Sequence, residues 1–350
     1  MGSNSFQLKP LNLRDASPAE YAALNRHNNT LRRERLPDDP PIPLDEMIQG
    51  FKNIPSFVEV KMWCAWDPAQ IEIIAQGNVV LLHTDDNQHL TQVDITVLPE
   101  YRRQGLGRRL LALLTEAARV DGRRLIITET LDRLPGGEAF MNRLGAKKGI
   151  ESHVNQLNMD ELNRHLVEQW LAQGCKLAEE FELGLWEGPY PAEQIEAVVQ
   201  LFELSNQQPF GDLEIEEQHT TPEQLRQSEQ MLFARGYQRW TYYLVEKATS
   251  QFTGYTETVW NPNRPQVLSQ DMTGVFPQYR NRGLGRWLKA AMLDKVLKER
   301  PEVKYVRTGN ADTNAAMLKI NTELGFKPYM ASTLWQVEIE RLLEYLGETR

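Results

Sequence analysis

One segment occurs twice in this chain of 350 residues, and the repeat constrains the fold more than any other feature. Residues 95–108 and 273–286 share the pattern Val-x-Pro-x-Tyr-Arg-x-x-Gly-Leu-Gly-Arg, so that Arg102 matches Arg280. A second match lies farther along, where Leu144-Gly is repeated as Leu324-Gly after one small change of length between the two matches. Copies that lie this far apart indicate a duplicated domain rather than a solenoid of short units.

The length of the chain agrees with two domains of ordinary size. Residues 160–173 predict an amphipathic helix, because the leucines of this stretch fall on one side. We place the domain boundary just after that helix. The prediction is an N-terminal domain of residues 1–175 and a C-terminal domain of residues 176–350.

Each copy predicts the same order of elements around the shared pattern. A strand precedes the pattern, at residues 91–97 and 269–275, and a proline ends that strand in both copies. An apolar-striped helix follows the glycines, then another strand, and then a helix that ends at Gly145 or Gly325. The first copy differs at residues 134–137, which read Leu-Pro-Gly-Gly and are poor helix sequence.

Composition argues against several classes of function. The net charge of −9 argues against general nucleic-acid binding. No apolar run approaches the ~18–20 residues needed to span a bilayer, and the first residues do not read as a secretory signal. Cys64 and Cys175 are too few for a disulfide framework and lack metal-ligand spacing. We therefore expect a cytoplasmic protein, a monomer or homodimer, without a metal ion and without membrane or nucleic-acid partners.

The two repeated loops, Arg102–Gly107 and Arg280–Gly285, have the features of a pyrophosphate-binding site. The first amides of a helix lack intrahelical partners, and the helix dipole adds positive potential there. Glycines let a diphosphate approach these amides closely, and arginine donates two hydrogen bonds to phosphate oxygens. The sequence contains neither a Gly-Lys-Ser/Thr loop nor the Gly-x-Gly-x-x-Gly fingerprint of dinucleotide-binding domains. The loops therefore predict another class of phosphate site, present twice.

The Arg-x-x-Gly-x-Gly loop after a strand and a proline resembles the signature of the GNAT superfamily of N-acetyltransferases. Residues 310–326, which end in Leu-Gly-Phe, are similar to the later motif of that family. The resemblance covers both halves, so the chain looks like a tandem GNAT protein. It implies an α/β fold of the α+β type, with two tandem domains. Each domain would have a mixed, mostly antiparallel central sheet with a splayed strand pair, flanked by helices.

The resemblance also implies acetyl-CoA as the acyl donor and assigns cofactor-binding roles by position. Backbone groups at the end of the splayed strand would pair with the pantetheine arm, and the loop would cradle the pyrophosphate. Asn314 would contact the pantetheine or the far side of the cofactor. In the second half the implied residues are Thr273, Gly274, Val275, Arg280, Asn281, Arg282, Gly283, Leu284, Gly285, Arg286 and Asn314. In the first half they are Ile95, Thr96, Val97, Arg102, Arg103, Gln104, Gly105, Leu106, Gly107 and Arg108.

The two copies differ on the strand before the loop. Asp271 alternates with Thr273 and Val275, which predicts that the three side chains share one face of the sheet. The matching positions of the first copy, 93, 95 and 97, are all apolar. Because acyl transfer to an amine requires a proton acceptor, we expect catalysis in the second half. The first half would be degenerate, as a structural or cofactor-retaining copy.

Three residues are candidates for the chemistry. A carboxylate can take the proton of the attacking amine if its pKa lies near the working pH. Asp271 is the first candidate, against the alternative of a solvent-facing or salt-bridged aspartate, and Glu257 is the second. Asn321 lies where many GNAT proteins have a tyrosine that acts as the general acid. Its amide can hydrogen-bond a thiolate but cannot protonate it.

These observations predict an acyltransferase that moves an acetyl group from acetyl-CoA to a primary amine. The acceptor would be a small molecule or a peptide, attacking directly in the C-terminal half. The missing tyrosine leaves a second hypothesis open, in which the chain is a non-catalytic acyl-CoA-binding or sensing protein.

Overall fold

A computed structural model describes residues 6–208 and 211–347, which form one twelve-stranded sheet with ten α-helices around it. The strands are β1 (Leu8–Leu11), β2 (Val58–Trp66), β3 (Ile73–Leu82), β4 (Leu90–Val97), β5 (Leu125–Leu131), β6 (Lys147–Asn158), β7 (Phe181–Glu187), β8 (Gln238–Glu246), β9 (Gln251–Trp260), β10 (Val267–Val275), β11 (Tyr305–Ala311) and β12 (Lys327–Glu338). The helices are α1 (Pro18–Arg35), α2 (Leu44–Lys52), α3 (Leu106–Val120), α4 (Pro135–Leu144), α5 (Arg164–Leu177), α6 (Ile195–Phe202), α7 (Pro222–Ala234), α8 (Leu284–Glu299), α9 (Ala315–Leu324) and α10 (Ile339–Leu346).

The two halves of the chain exchange their last strands. The order across the sheet is β1-β2-β3-β4-β5-β12-β6-β11-β10-β9-β8-β7. The last strand of the second half, β12, is therefore antiparallel to β5 of the first half, and β6 is antiparallel to β11 of the second half. The two exchanged strands also pair with each other. Each half thus completes the sheet of the other. The domain boundary after residue 175 remains a prediction, because one continuous sheet joins the two halves.

A splayed pair of parallel strands lies in each half. β4 pairs with β5 only from Leu90 to Gln92, and β10 pairs with β11 only from Val267 to Ser269. Beyond these residues the strands separate and leave a wedge, which we call the first wedge (β4/β5) and the second wedge (β10/β11). All the other strand pairs of the sheet are antiparallel. The predicted α+β fold with mixed, mostly antiparallel sheets is confirmed.

Each wedge has a long helix beside it that begins directly after the repeated loop. The apolar stripe of α3 packs on β3 and β4, and α10 covers part of its outer side. The corresponding helix α8 is buried on almost all sides, because α5 packs against it as well as the sheet. The burial includes Lys289 and Lys295, which are 1% and 7% exposed.

Helix α4 corrects one expectation from the sequence. The stretch from Leu134 to Gly137 predicted poor helix, yet α4 begins at Pro135 and continues to Leu144. Proline is well tolerated in the first turn of a helix, because its missing N–H would have no partner there. Met141 and Leu144 then anchor the helix in the core of the first half. None of the helices in the described ranges has the length and apolar composition to cross a membrane.

Candidate functional site

The two repeated loops have the same backbone conformation. In the first loop Arg103 and Gly105 have φ of 63° and 83°, and in the second loop Asn281 and Gly283 have φ of 61° and 87°. Left-handed φ at a residue other than glycine is uncommon, so its recurrence at the same position shows that both loops make one defined turn. In each copy the left-handed glycine is the N-cap of the following helix, and no side chain caps that helix.

The space above both loops is open. A Cβ atom added to Gly105, Gly107 or Gly283 would meet no atom within 4 Å, and one added to Gly285 would meet only Val275 Cγ2 at 3.9 Å. The uncapped amides at the start of α3 and α8 therefore face room for an anion. This geometry fits the pyrophosphate of a coenzyme A thioester in both halves.

The arginines of the two loops are neutralised to different degrees. Arg102 and Arg280 both donate from Nε to the carbonyl that ends the preceding strand, at 3.0 and 3.1 Å. Arg102 then makes a bidentate ion pair with Glu34, at 2.7 and 2.5 Å, whereas Arg280 donates to the neutral Gln207 at 2.5 Å. The first arginine of the loop is therefore free of a carboxylate only in the second half.

Other arginines of the two loops show the opposite difference, because here the carboxylate partners lie in the second half. Arg282 is paired with Glu180, and Arg286 lies 3.1 Å from Glu323. In the first half, Arg108 donates to the carbonyl of Leu346 at 2.8 Å, so a backbone dipole rather than a carboxylate holds it. The charge of the first loop is thus no weaker than that of the second, and the loop by itself does not make the first half degenerate.

A β-bulge in β10 changes the predicted arrangement of Asp271. The register of β10 against β9 shifts between Gln270 and Thr273. Gln270 Nε2 donates to Thr256 Oγ1 at 3.0 Å, and the hydroxyl of Thr273 lies 2.7 Å from the same oxygen. Gln270 and Thr273 therefore share one face although three positions separate them. The prediction that Asp271 shares a face with Thr273 is wrong, because the extra residue of the bulge breaks the alternation.

Asp271 is accessible to solvent but crowded by protein. Burial is the largest cause of a shift that raises its pKa to about 7, and the nearby carboxylate of Glu257 adds to the shift. The positive charge of Arg239 opposes it. Asp271 lies two residues beyond the last pairing of β10 with β11, where the second wedge opens. A carboxyl group of this kind exchanges a proton near neutral pH, as a general base requires.

Glu257 is held by its neighbours. The residue is 9% exposed, and its carboxylate accepts hydrogen bonds from Tyr190 and from Thr241, the latter at 2.6 Å. Arg239 lies 3.6 Å away and is also paired with Glu229. These contacts hold the carboxylate in place and occupy one of its oxygens, Oε2. The position of Glu257 favours a supporting role beside Asp271.

The first wedge contains a carboxylate that sequence comparison missed. Asp94 lies two residues beyond the last pairing of β4 with β5, as Asp271 does in the second wedge. Burial raises the pKa of Asp94, Glu129 adds to the shift and Arg35 opposes it. The offset between the two aspartates shows only in the structure, in the length of chain from the observed start of the splayed strand to the loop arginine. That length is one residue shorter in the first copy than in the second.

The two asparagines predicted from the resemblance lie on α9. Asn314 is the N-cap of α9, because its Oδ1 accepts the backbone N–H of Met317 at 3.3 Å. Asn321 is 2% exposed, and both ends of its amide are occupied. Lys289 Nζ donates to Asn321 Oδ1 at 2.8 Å, and Asn321 Nδ2 donates to Asn310 Oδ1 at 2.7 Å. Direct contact of Asn321 with a thiolate would require this chain of hydrogen bonds to open.

One group of potential metal ligands lies far from the wedges. Glu59, His83 and Asp121 come together among the described residues, at the end of α3 opposite the repeated loop. Two of the three side chains are exposed, and Asp121 is paired with Arg123 at 2.8 Å. The group belongs to neither wedge and takes no part in the site described here.

Comparison with known proteins agrees with this geometry. Residues 59–145 match the model of the acetyltransferase (GNAT) domain family. No curated protein matches the chain. Among solved structures, a tandem GNAT protein from the clavulanic acid biosynthesis pathway, without acetyl-CoA, superposes with a TM-score of 0.74 and 24% identity over 96% of this chain and 99% of that one.

Two further structures share the fold at lower identity. A GCN5-related N-acetyltransferase from Sphaerobacter thermophilus has a TM-score of 0.65 and 16% identity over 95% of this chain and 96% of its own. A glucosamine N-acetyltransferase region of a fungal multi-domain GH3 β-N-acetylglucosaminidase has a TM-score of 0.65 and 14% identity, over 95% of this chain and 38% of its own. At these identities the likeness shows the fold alone. The chain therefore has the fold of tandem GNAT structures, and its residues 59–145 match the GNAT acetyltransferase domain family.

Proposed function

We propose that this protein transfers an acetyl group from acetyl-CoA to a primary amine in the second wedge, by direct attack of the amine on the thioester. The observation that supports this most is Asp271, whose pKa is raised to about 7 and which lies where the splayed strands open. At that pKa the carboxylate is half ionised at neutral pH. It is therefore ready to accept a proton and able to release it again.

The residues of the second half divide the work of the reaction. The loop Arg280–Gly285 and the start of α8 bind the pyrophosphate, and the unpaired edge of β10 beyond Ser269 pairs with the pantetheine arm. The strand-end amide near Val275 donates to the oxygen that gains negative charge. Asp271 takes the proton of the amine. Holding amine and thioester side by side supplies much of the remaining rate enhancement.

The surroundings of Asp271 favour a cationic or amine-bearing acceptor. Glu229 and Glu257 are held by Arg239, and Arg226 pairs with Glu229 at 2.6 Å. The two arginines therefore balance the two glutamates, and Asp271 is the additional negative charge. An aromatic cluster lies on the same side of β9 as Glu257, and its members include Trp186, Tyr190, Phe202, Tyr243, Phe252 and Tyr255. Such a wall suits a small molecule or a peptide side chain with an apolar part and one amine.

We assign the first half a cofactor-retaining role. Its loop has the same open cradle, and Asp94 lies at the matching place in the first wedge. The second half has a hydrogen-bonded chain of Lys289 on α8, Asn321 on α9 and Asn310 on β11. The first half has no counterpart, because the residues at the matching positions are Leu111, Met141 and Thr130. The second wedge therefore combines the carboxylate with a further polar element, and the first wedge does not.

Product analysis tests the proposal. The full chain is incubated with acetyl-CoA and a library of primary amines, and release of coenzyme A is followed together with the mass of the acetylated product. We expect at least one amine to be acetylated faster than in enzyme-free controls. Tight binding of acetyl-CoA with no turnover across a broad library would instead support a non-catalytic acyl-CoA-binding or sensing protein. In such a protein Asn321, whose amide is occupied at both ends, would have no catalytic role.

A further inference from the structure

A buried lysine in the second half takes no part in the chemistry proposed above. Lys289 lies on α8, is 1% exposed and has one hydrogen-bond acceptor among the described residues, Asn321 Oδ1. Its Nζ lies 5.2 Å from the ring centroid of Phe326. Burial lowers the pKa of Lys289 to about 7, and burial is the only cause of the shift, so no neighbouring charge offsets it. A buried, unpaired lysine costs stability, which points to a functional reason for its presence.

The hydrogen bonds of Lys289 lead to the second wedge. Asn321 connects Lys289 to Asn310, which lies on β11 three residues beyond Arg307, the last residue of β11 that pairs with β10. Asn310 alternates with Thr308 and Val306, so it points to the α8 side of the sheet, as its bond to Asn321 requires. Its Nδ2 has no acceptor within the described ranges, and the residue is half-buried.

The direction of each hydrogen bond fixes the orientation of both amides. The ammonium of Lys289 can only donate, so it turns the oxygen of Asn321 toward α8. The nitrogen of Asn321 then holds the oxygen of Asn310, which leaves the amide nitrogen of Asn310 as the free donor at the end of the chain. Aligned donors of this kind polarise one another in a low-dielectric interior. The positive charge of Lys289 therefore strengthens the amide donor of Asn310 at the opening between β10 and β11.

The first half provides a natural comparison. The positions that match Lys289 and Asn321 are Leu111 and Met141, and both side chains belong to the apolar core. The position that matches Asn310 is Thr130, whose hydroxyl accepts the indole N–H of Trp335 at 2.8 Å. The fold therefore does not need a polar chain at this place. Its presence in one half alone indicates a role in that half's chemistry.

We propose that Lys289 acts through Asn321 and Asn310 as a positioning residue that holds an amide donor and a positive charge beside the departing thiolate of coenzyme A. The inference rests on the proposed function. In the reaction the C–N bond forms, the C–S bond breaks, and the electron pair of that bond goes to sulfur. Asp271 receives the proton of the amine. Asn310 donates a hydrogen bond to the sulfur, which later takes its proton from Asp271 or water.

The test measures the acidity of the thiol of bound coenzyme A, which needs no acceptor amine. The first cradle is blocked with Gly107→Glu, at a glycine whose φ is not left-handed, so that only the second cradle is loaded. Ultraviolet absorbance of the thiolate is then titrated with pH. We expect the bound thiol to ionise about one pH unit below free coenzyme A, since the hydrogen bond that Asn310 donates favours the ionised form even where Lys289 has lost its charge. Lys289→Met should bring the midpoint back to that of free coenzyme A.

Two further variants separate the possible results. Lys295→Met, on the same helix, removes a lysine that is already paired with Glu187 and Glu299 and should leave the midpoint unchanged. Asn310→Ala removes the terminal donor and should raise the midpoint even if Lys289→Met fails to fold. Binding with a midpoint that neither Lys289→Met nor Asn310→Ala moves would overturn the inference alone. Absence of coenzyme A binding to the second cradle would overturn the proposed function, and the inference with it.

Discussion

Asp94 and Asp271 occupy the same place in the two wedges, each two residues beyond the last pairing of the splayed strands. The chain is nevertheless one residue longer from Asp271 to Arg280 than from Asp94 to Arg102. The difference is the extra residue of the bulge in β10, for which β4 has no equivalent, since the register of β4 against β3 is continuous. Glu257 lies opposite the bulge, and its charge adds to the burial that raises the pKa of Asp271.

The first prediction concerns the two wedge aspartates. Asp271→Asn should lower turnover by about 10²–10⁴-fold, the usual contribution of a general base, because an amide cannot accept the proton. Asp94→Asn is the matched control, since it makes the same change in the other wedge, and turnover should be unchanged. Steady-state rates with an acceptor found by product analysis provide the measurement. Equal losses in both variants would show that both wedges catalyse.

The second prediction concerns pH. The free-enzyme profile of kcat/KM should fall tenfold per unit below pH 7, because the raised pKa of Asp271 leaves it protonated there. It should fall again above pH 7, because Lys289, with its pKa lowered to about 7, loses its charge. In Lys289→Met the alkaline decline should disappear and the acid decline should remain. An alkaline decline that persists in this variant would contradict the assignment.

Much of the fold was predictable from sequence because the repeat itself carries the pattern. A strand that ends at proline, a glycine turn and an apolar-striped helix are local features, and the structure confirms them in both halves. The exchange of β6 and β12 was not predictable, because strand order depends on long-range pairing that two similar strands can satisfy in either arrangement. Poor helix propensity at Gly136 and Gly137 was overridden by packing of α4 on the core.

The candidate site was only partly predictable for a similar reason. The loop residues follow from sequence, because their function depends on backbone conformation and glycine. The Asp94 carboxylate was hidden, since a bulge of one residue cannot be seen without the partner strand. The Lys289–Asn321–Asn310 chain was equally hidden, because a lysine on a helix is normally taken as exposed and only the covering helix α5 shows that this one is buried.

The third prediction concerns charge in the two cradles. Glu34→Gln should tighten coenzyme A binding to the first cradle by about two- to fivefold, because it releases the charge of Arg102 from an ion pair of the kind worth about 0.2–1 kcal/mol. Gln207→Glu should weaken binding to the second cradle, because it places a carboxylate on Arg280.

Calorimetry measures both effects, with Gly285→Glu blocking the second cradle in the first case and Gly107→Glu blocking the first cradle in the other. Both changes should shrink as the salt concentration rises, since salt screens exposed charges. Unchanged affinities in both variants at low salt would mean that these arginines do not contact the ligand.

The fourth prediction concerns the exchanged strands. Residues 1–175 and 176–350, produced together as separate chains, should form a stable one-to-one complex. β6 pairs with β11 from Tyr305 to Ala311, and β12 pairs with β5 from Ser332 to Glu338, so each fragment contributes a central strand to the other. Size-exclusion chromatography with mass measurement detects the complex. Two folded fragments that stay monomeric after mixing would show that each half can close its own sheet, contrary to this prediction.

The last prediction concerns the stability cost of Lys289. Its folded pKa of about 7 lies below the ordinary value of 10.5, so the unfolded chain binds an extra proton between these pH values. The cost is therefore complete at and below pH 7 and vanishes as pH rises toward 10.5. Lys289→Met should raise the free energy of unfolding at pH 7 by about 1–4 kcal/mol, as replacement of buried charges by apolar side chains often does. Urea unfolding at pH 7 and at pH 9.5 measures the difference, which should be smaller at the higher pH. Lys295→Met, which breaks two ion pairs, should give no such gain. A loss of stability in Lys289→Met at pH 7 would mean that the lysine serves the fold rather than the chemistry of the second wedge.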